Sequence, residues 1–164
     1  MRRVTLSVLL AVILTPVLVS GADAPAAKRA TTRAAVRAVV QALVDATNKA
    51  DVNAMMELYS RRPEVSSIGE GVITRGWDAI HTLSGQMEGK EGSYTVSAGP
   101  IDVTPLGASY ALAVFPLTIK GATPQGTVEL PGAASMILEK SGSTWKILND
   151  HTSTNWPNPG QKED

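Results

Sequence analysis

Residues 93–154 carry sheet patterning and nothing else, and that run constrains the whole chain. Ser93–Val103 alternates, with Tyr94, Val96 and Ala98 on one side, and Tyr110–Lys120 is a long apolar stretch. Thr127–Lys140 and Thr144–Thr154 follow, with Pro105-Leu106-Gly107 and the segment Gly121–Gly126 as turns between strands. Period-two patterning punctuated by Gly and Pro predicts an antiparallel meander of four strands. Proline brings no N–H to a ladder. Pro116 is therefore expected at an edge or local break, and Pro131-Gly132 at a bulge or bend.

Ahead of the strands the period changes. Val36, Val39, Val40, Leu43, Val44 and Thr47 recur at i, i+3, i+4, i+7, i+8 and i+11, one face of an amphipathic helix over residues 32–49. Thr31 and Thr32 are its candidate N-caps, and residues 23–31 read as a flexible lead-in. Asp51 caps a second, shorter helix through Met55, Met56, Leu58 and Tyr59, which Arg61-Arg62-Pro63 ends. Glu64–Ile68 and Val72–Thr74 form a strand pair around Gly69-Glu70-Gly71. Gly76 opens a third helix with Trp77, Ile80, Ser84 and Met87 at helical spacing, and Gly89 to Gly92 stops it.

The predicted fold is α+β: three N-terminal helices packed in a strongly curved antiparallel sheet, a cone with a cavity between the layers. One domain, residues 32–154, accounts for the 164-residue chain, and residues 155–164 read as a tail.

Residues 1–22 stand apart. Met1-Arg2-Arg3 is a basic start, Val4–Val19 is apolar apart from Thr5, Ser7 and Thr15, and Ser20-Gly21-Ala22 are small. That is the layout of a secretory signal peptide cleaved near Ala22, and the expected location is exported, periplasmic or secreted. A run this short, interrupted by Pro16, falls below the ~20 residues a membrane span needs, so no membrane association is expected after cleavage.

Charge and composition exclude several functions. Lys plus Arg equals Asp plus Glu at 15 each, and no basic run exceeds a pair, so no nucleic-acid partner is expected. With no cysteine and two separated histidines, no structural metal site is expected. There is no Gly-x-Ser-x-Gly elbow, phosphate-cradling loop or dinucleotide fingerprint, and no cofactor is expected.

The last strand carries the candidate chemistry. In a regular strand Asn149, His151 and Ser153 share a face with Trp145 and Ile147, apolar at one end and polar at the other. Asp150 then faces away, unless a bulge intervenes. His151 is the candidate proton shuttle, since its side chain titrates near neutral pH; the alternative is a hydrogen-bonded residue at a strand end. Tyr59 either directs its hydroxyl into the cavity or packs in the core, and Trp77 and Trp145 are either core aromatics or ligand platforms. Glu129, between apolar Val128 and Leu130, is either a second acid or a residue exposed on the outer face, the latter expected, and His81 is expected partly exposed on its helix.

Three segments in this order resemble the SnoaL-like branch of the nuclear transport factor 2-like superfamily. They are residues 48–59 at the first helix–helix junction, Arg75-Gly76-Trp77-Asp78-Ala79-Ile80 opening the third helix, and Trp145 to Ser153 as the closing W-x-I-x-x-D-H-T-S strand. The resemblance implies a cone-shaped domain, often a homodimer through its sheet, in a superfamily of isomerases, dehydratases, cyclases and pure binding modules. Fold does not decide among these. The expected partner is a small apolar or amphipathic ligand in a pocket of Tyr59, Trp77, Trp145, Ile147, Asn149 and Ser153. A cofactor-free lyase, isomerase or cyclase using His151 is the alternative, and a dimer or partner-interaction module the third.

Overall fold

The computed structural model describes residues 23–123 and 126–155. The expectations for the signal segment and for residues 156–164 lie outside that range. Helix α1 spans Asp23–Asn48, α2 Val52–Glu57 and α3 Trp77–Ser84, the last running into a 3-10 turn at Gly85–Met87. Strands are β1 Ser66–Gly69, β2 Val72–Arg75, β3 Tyr94–Ala98, β4 Asp102–Leu106, β5 Tyr110–Thr123, β6 Gly126–Ser141 and β7 Thr144–Thr154.

Helix α1 starts earlier than expected. Residues 23–31 are helical rather than a loose lead-in. Ala24, Ala26, Ala27 and Ala30 favour helix, and Pro25 sits in the first turn, where a missing N–H costs nothing. Thr31 is no cap: its hydroxyl donates back to the Ala27 carbonyl at 3.0 Å, one turn away. The apolar stripe behaves as its spacing requires, with Val36, Val40, Leu43 and Val44 buried against the sheet. Asp51 does cap α2, its Oδ1 accepting from the Ala54 N–H at 2.9 Å.

The seven strands run β2-β1-β7-β6-β5-β3, with β4 also on β5, in a curled sheet that does not close. The sheet is mixed, not wholly antiparallel, because β1 lies parallel to β7, Ser67 opposite Asp150 and Ile68 opposite His151. The Ser93–Val103 stretch divides into β3 and β4, which pair end to end along one edge of β5. Pro116 sits at that junction: its carbonyl accepts from the Gly99 N–H at 2.8 Å, so its missing donor faces the gap. Asn48 covers the free edge of β3, donating to the Val96 carbonyl at 2.9 Å and accepting from the Val96 N–H at 2.7 Å.

Pro131-Gly132 makes no bulge, since β6 stays in continuous register with β5 there. A β-carbon on Gly132 would stand 2.4 Å from the Ser153 carbonyl oxygen, so glycine is required by close strand approach. The irregularity lies elsewhere. Leu138 pairs with Ile147 but Ile137 pairs with Asn149, leaving Leu148 as one extra residue in β7.

Candidate functional site

That single extra residue determines which side chains enter the cone. Before it, Trp145 and Ile147 point inward and are buried. After it the alternation is inverted: Asp150 is 7 % exposed, whereas His151 and Ser153 are exposed. The shared face expected for Trp145, Ile147, Asn149, His151 and Ser153 is therefore split in two. A bulge shifts every residue beyond it to the opposite face.

Between α1, α3 and the inner sheet face lies a cavity of about 450 Å³. Phe115, Leu117, Ala134 and Met136 of β5 and β6 line one side, and Leu43, Val44 and Ile80 the other. Leu83, Gln86 and Lys90, all exposed, frame the opening. Asp150, Tyr59 and Ser67 supply the polar inner corner. The Tyr59 hydroxyl donates to Asp150 Oδ1 at 3.2 Å, and the Ser67 hydroxyl donates to Oδ2 at 3.0 Å.

Burial dominates the electrostatics of this corner. Desolvation raises the Asp150 carboxyl from 3.8 to about 6, although the Ser67 and Tyr59 hydroxyls pull the other way. Desolvation, with the neighbouring carboxylate, also lifts the Tyr59 phenol well above its usual value, so it remains a hydrogen-bond donor. No ion pair reaches Asp150 among the described residues. A carboxylate titrating near 6 can hold or release a proton at ordinary pH, which is what acid–base work requires. Among the described residues no three His, Asp or Glu side chains gather as a metal ion would need.

Of the residues expected at the site, Tyr59 alone lines this cavity. Trp145 and Ile147 are core, and the Ile147 backbone exchanges hydrogen bonds with Leu58 and Ser60 at 2.8 Å each. Trp77 is held outside: its indole N–H donates to the Met56 carbonyl at 3.2 Å, its ring stacks on His81, and the Arg61 guanidinium lies 3.3 Å above it. Asn149 donates to the Ser66 hydroxyl at 2.9 Å on the outer side. His151 and Ser153 sit on the outer face, with no place in the cavity. Glu129 is exposed and ion-paired to Lys120 at 2.9 Å. Asp150 and Ser67 were not assigned to the site from sequence. The apolar doublet Ile147-Leu148, which breaks the alternation of the strand, is the signal that points to Asp150, whereas nothing local in the sequence points to Ser67.

A family model described as a SnoaL-like domain matches residues 36–157. No curated protein matches the sequence. Among solved structures, a nuclear transport factor 2-like superfamily protein from Salmonella enterica is 21% identical, with TM-score 0.66, over 82% of this chain and 99% of that one. An NTF2-like protein with a cystatin-like fold from Novosphingobium aromaticivorans is 15% identical, with TM-score 0.69, over 86% and 94%. A ketosteroid isomerase-like protein from Erwinia carotovora atroseptica is 18% identical, with TM-score 0.61, over 76% and 96%. At such identities the likeness is one of fold. With the family match spanning most of its length, the chain belongs to the SnoaL-like domain family, in the NTF2-like superfamily.

Proposed function

We propose that this is an exported domain that binds a small, mostly apolar molecule in its cone. One observation carries the reading: an apolar cavity of about 450 Å³ ends on a single buried carboxylate held by two hydroxyls. That size lies within the range of small-molecule sites, and few, convergent polar groups are what orient a ligand in one. Export is supported by the Met1–Ala22 pattern, and N-terminal sequencing of the secreted or periplasmic protein should begin at Asp23. Recovery of the intact N-terminus there would contradict cleavage. Among the described residues no helix is long and apolar enough to cross a membrane.

The binding reading is tested by thermal shift of the purified protein against a panel of small apolar compounds. Several should raise Tm, and Ala134→Phe, which fills the cavity from its wall, should abolish the response while leaving the circular dichroism unchanged. No stabilising compound, or an undiminished response in A134F, would sink the proposal.

Proton transfer is the second reading, favoured by the carboxyl titrating at about 6 inside an apolar site. Asp150 would take a proton from a carbon next to a carbonyl, the C–H electron pair moving onto the carbonyl oxygen, and return the proton elsewhere. His151, on the outer face, has no part in this version. Deuterium exchange into 2-tetralone in D2O should run above the buffer rate with wild type and at the buffer rate with Asp150→Asn. Equal rates with and without protein would remove the reading.

A homodimer through the sheet is supported by an exposed apolar strip on the outer face. Val114, Leu106 and Tyr110 lie there, 44%, 46% and 38% exposed.

A further inference from the structure

We propose that the ligand of this cavity is a hydrophobic amine, its protonated nitrogen against the Asp150 carboxylate and its apolar body along Phe115, Leu117 and Met136. The inference rests on the binding reading and names the ligand's chemical class.

An ionised carboxylate offers about four lone-pair positions. Tyr59 and Ser67 take one hydrogen bond on each oxygen and the backbone adds a further contact, which still leaves accepting capacity on Asp150 unused. Both partners are neutral, so they orient the carboxylate without cancelling its charge. Among the described residues no cation of the elements packed around it forms an ion pair with it, and His151 acts on it only as the weakest of its electrostatic influences. Tyr59 follows α2, Ser67 comes from β1, and Met136 opposes it from β6. His151, adjacent in sequence, is exposed on the other face of the sheet. Lys90 is the one basic side chain among the residues lining the cavity, and it is exposed.

A buried charge without a partner is costly, and a ligand that brings the opposite charge removes that cost. An ammonium group does so with charge-assisted hydrogen bonds. A carboxylic acid head would meet like charge at the inner corner, and a ketone would set acceptor against acceptor. An alcohol supplies one neutral donor and no charge. The rest of the wall is mostly hydrocarbon, with Thr47, Ser84, Gln86 and Thr152 among its other polar side chains, so the body of the ligand must be largely apolar. The space corresponds to roughly 15 waters at ~30 Å³ each, which suits a two-ring body with a short chain.

The test uses three probes with one body, 2-(2-naphthyl)ethylamine, 2-(2-naphthyl)ethanol and 2-naphthylacetate, titrated calorimetrically into the full purified chain. At pH 7.5 the amine should bind at least tenfold more tightly than either analogue. Asp150→Asn should weaken the amine tenfold or more and leave the alcohol nearly unchanged. Amine affinity in wild type should fall about tenfold between pH 7.5 and 5, as Asp150 takes up its proton. Alcohol or acid binding as tightly as the amine, or amine affinity unaffected in D150N, overturns the amine assignment while the binding reading stands. If the amine fails but a fluorescent apolar dye enters the cavity and A134F blocks it, the amine assignment again falls alone. If neither dye nor any probe enters, both fall together.

Discussion

Asp150 is the residue on which the site depends, and its environment has a consequence for stability. Its carboxyl is raised from 3.8 to about 6 by burial, so the folded protein holds this proton more tightly than the unfolded chain. Such a group favours folding most below pH 4. Its contribution shrinks as pH rises from 4 to 6 and is level above that. At ~1.4 kcal/mol per pKa unit the full effect is about 3 kcal/mol. Asp150→Asn does not titrate. Urea unfolding should therefore show the stability difference, D150N minus wild type, growing by up to about 3 kcal/mol from pH 4 to pH 7. A difference independent of pH would contradict a buried carboxylate. Tyr59→Phe removes one of the two hydroxyls that favour the charged form, so it should shift the wild-type midpoint upward, above 6.

At the scale of elements, the sheet edges and the bulge are what the fold must secure. Asn48 is the partner of both backbone groups of Val96 on the open edge of β3. Asn48→Ala leaves that N–H and carbonyl without it and should cost about 1–3 kcal/mol in chemical denaturation. Amide hydrogen exchange at Val96 should quicken more than at Phe115 in the interior of β5. Unchanged exchange at Val96 would show that the edge is held by something else. Gly132→Ala should also be destabilising, by about 1–3 kcal/mol, because its new β-carbon meets the β7 backbone.

How far these elements were legible follows from which physical signal each one leaves. The α1 stripe, the Asp51 cap and the long β5 and β6 strands announce themselves, because period and cap chemistry are local properties. The parallel pairing of β1 with β7 does not, because a strand of four residues carries no record of its partner. The bulge at Leu148 is intermediate. It leaves a trace, two consecutive apolar residues in an alternating strand, but its effect on Asp150 and His151 depends on counting faces through it. The cavity was legible as a consequence of the fold class, while its polar corner was not. The corner joins Tyr59, Ser67 and Asp150, and no local pattern links residues so far apart in the chain.

For the whole molecule, one curved sheet has two uses. Its inner face builds the cavity, and its outer face, where Val114, Leu106 and Tyr110 are exposed, is the surface we propose for a second copy. His151 lies on that outer face between Ile68 and Ser135. Sedimentation should show a dimer at micromolar concentration, and Val114→Glu should yield monomers with an unchanged circular dichroism spectrum. A monomeric wild type at high concentration would contradict the dimer. The central claim, that the bulge turns Asp150 rather than His151 into the cone, has a more direct test. Carbon-13 NMR of side-chain carboxyls in aspartate-labelled protein, with the Asp150 signal identified by its loss in D150N, reports the titration of this group alone. A midpoint near 6 is expected for Asp150. A midpoint near 4 would mean that Asp150 is solvated and that the strand does not turn it inward.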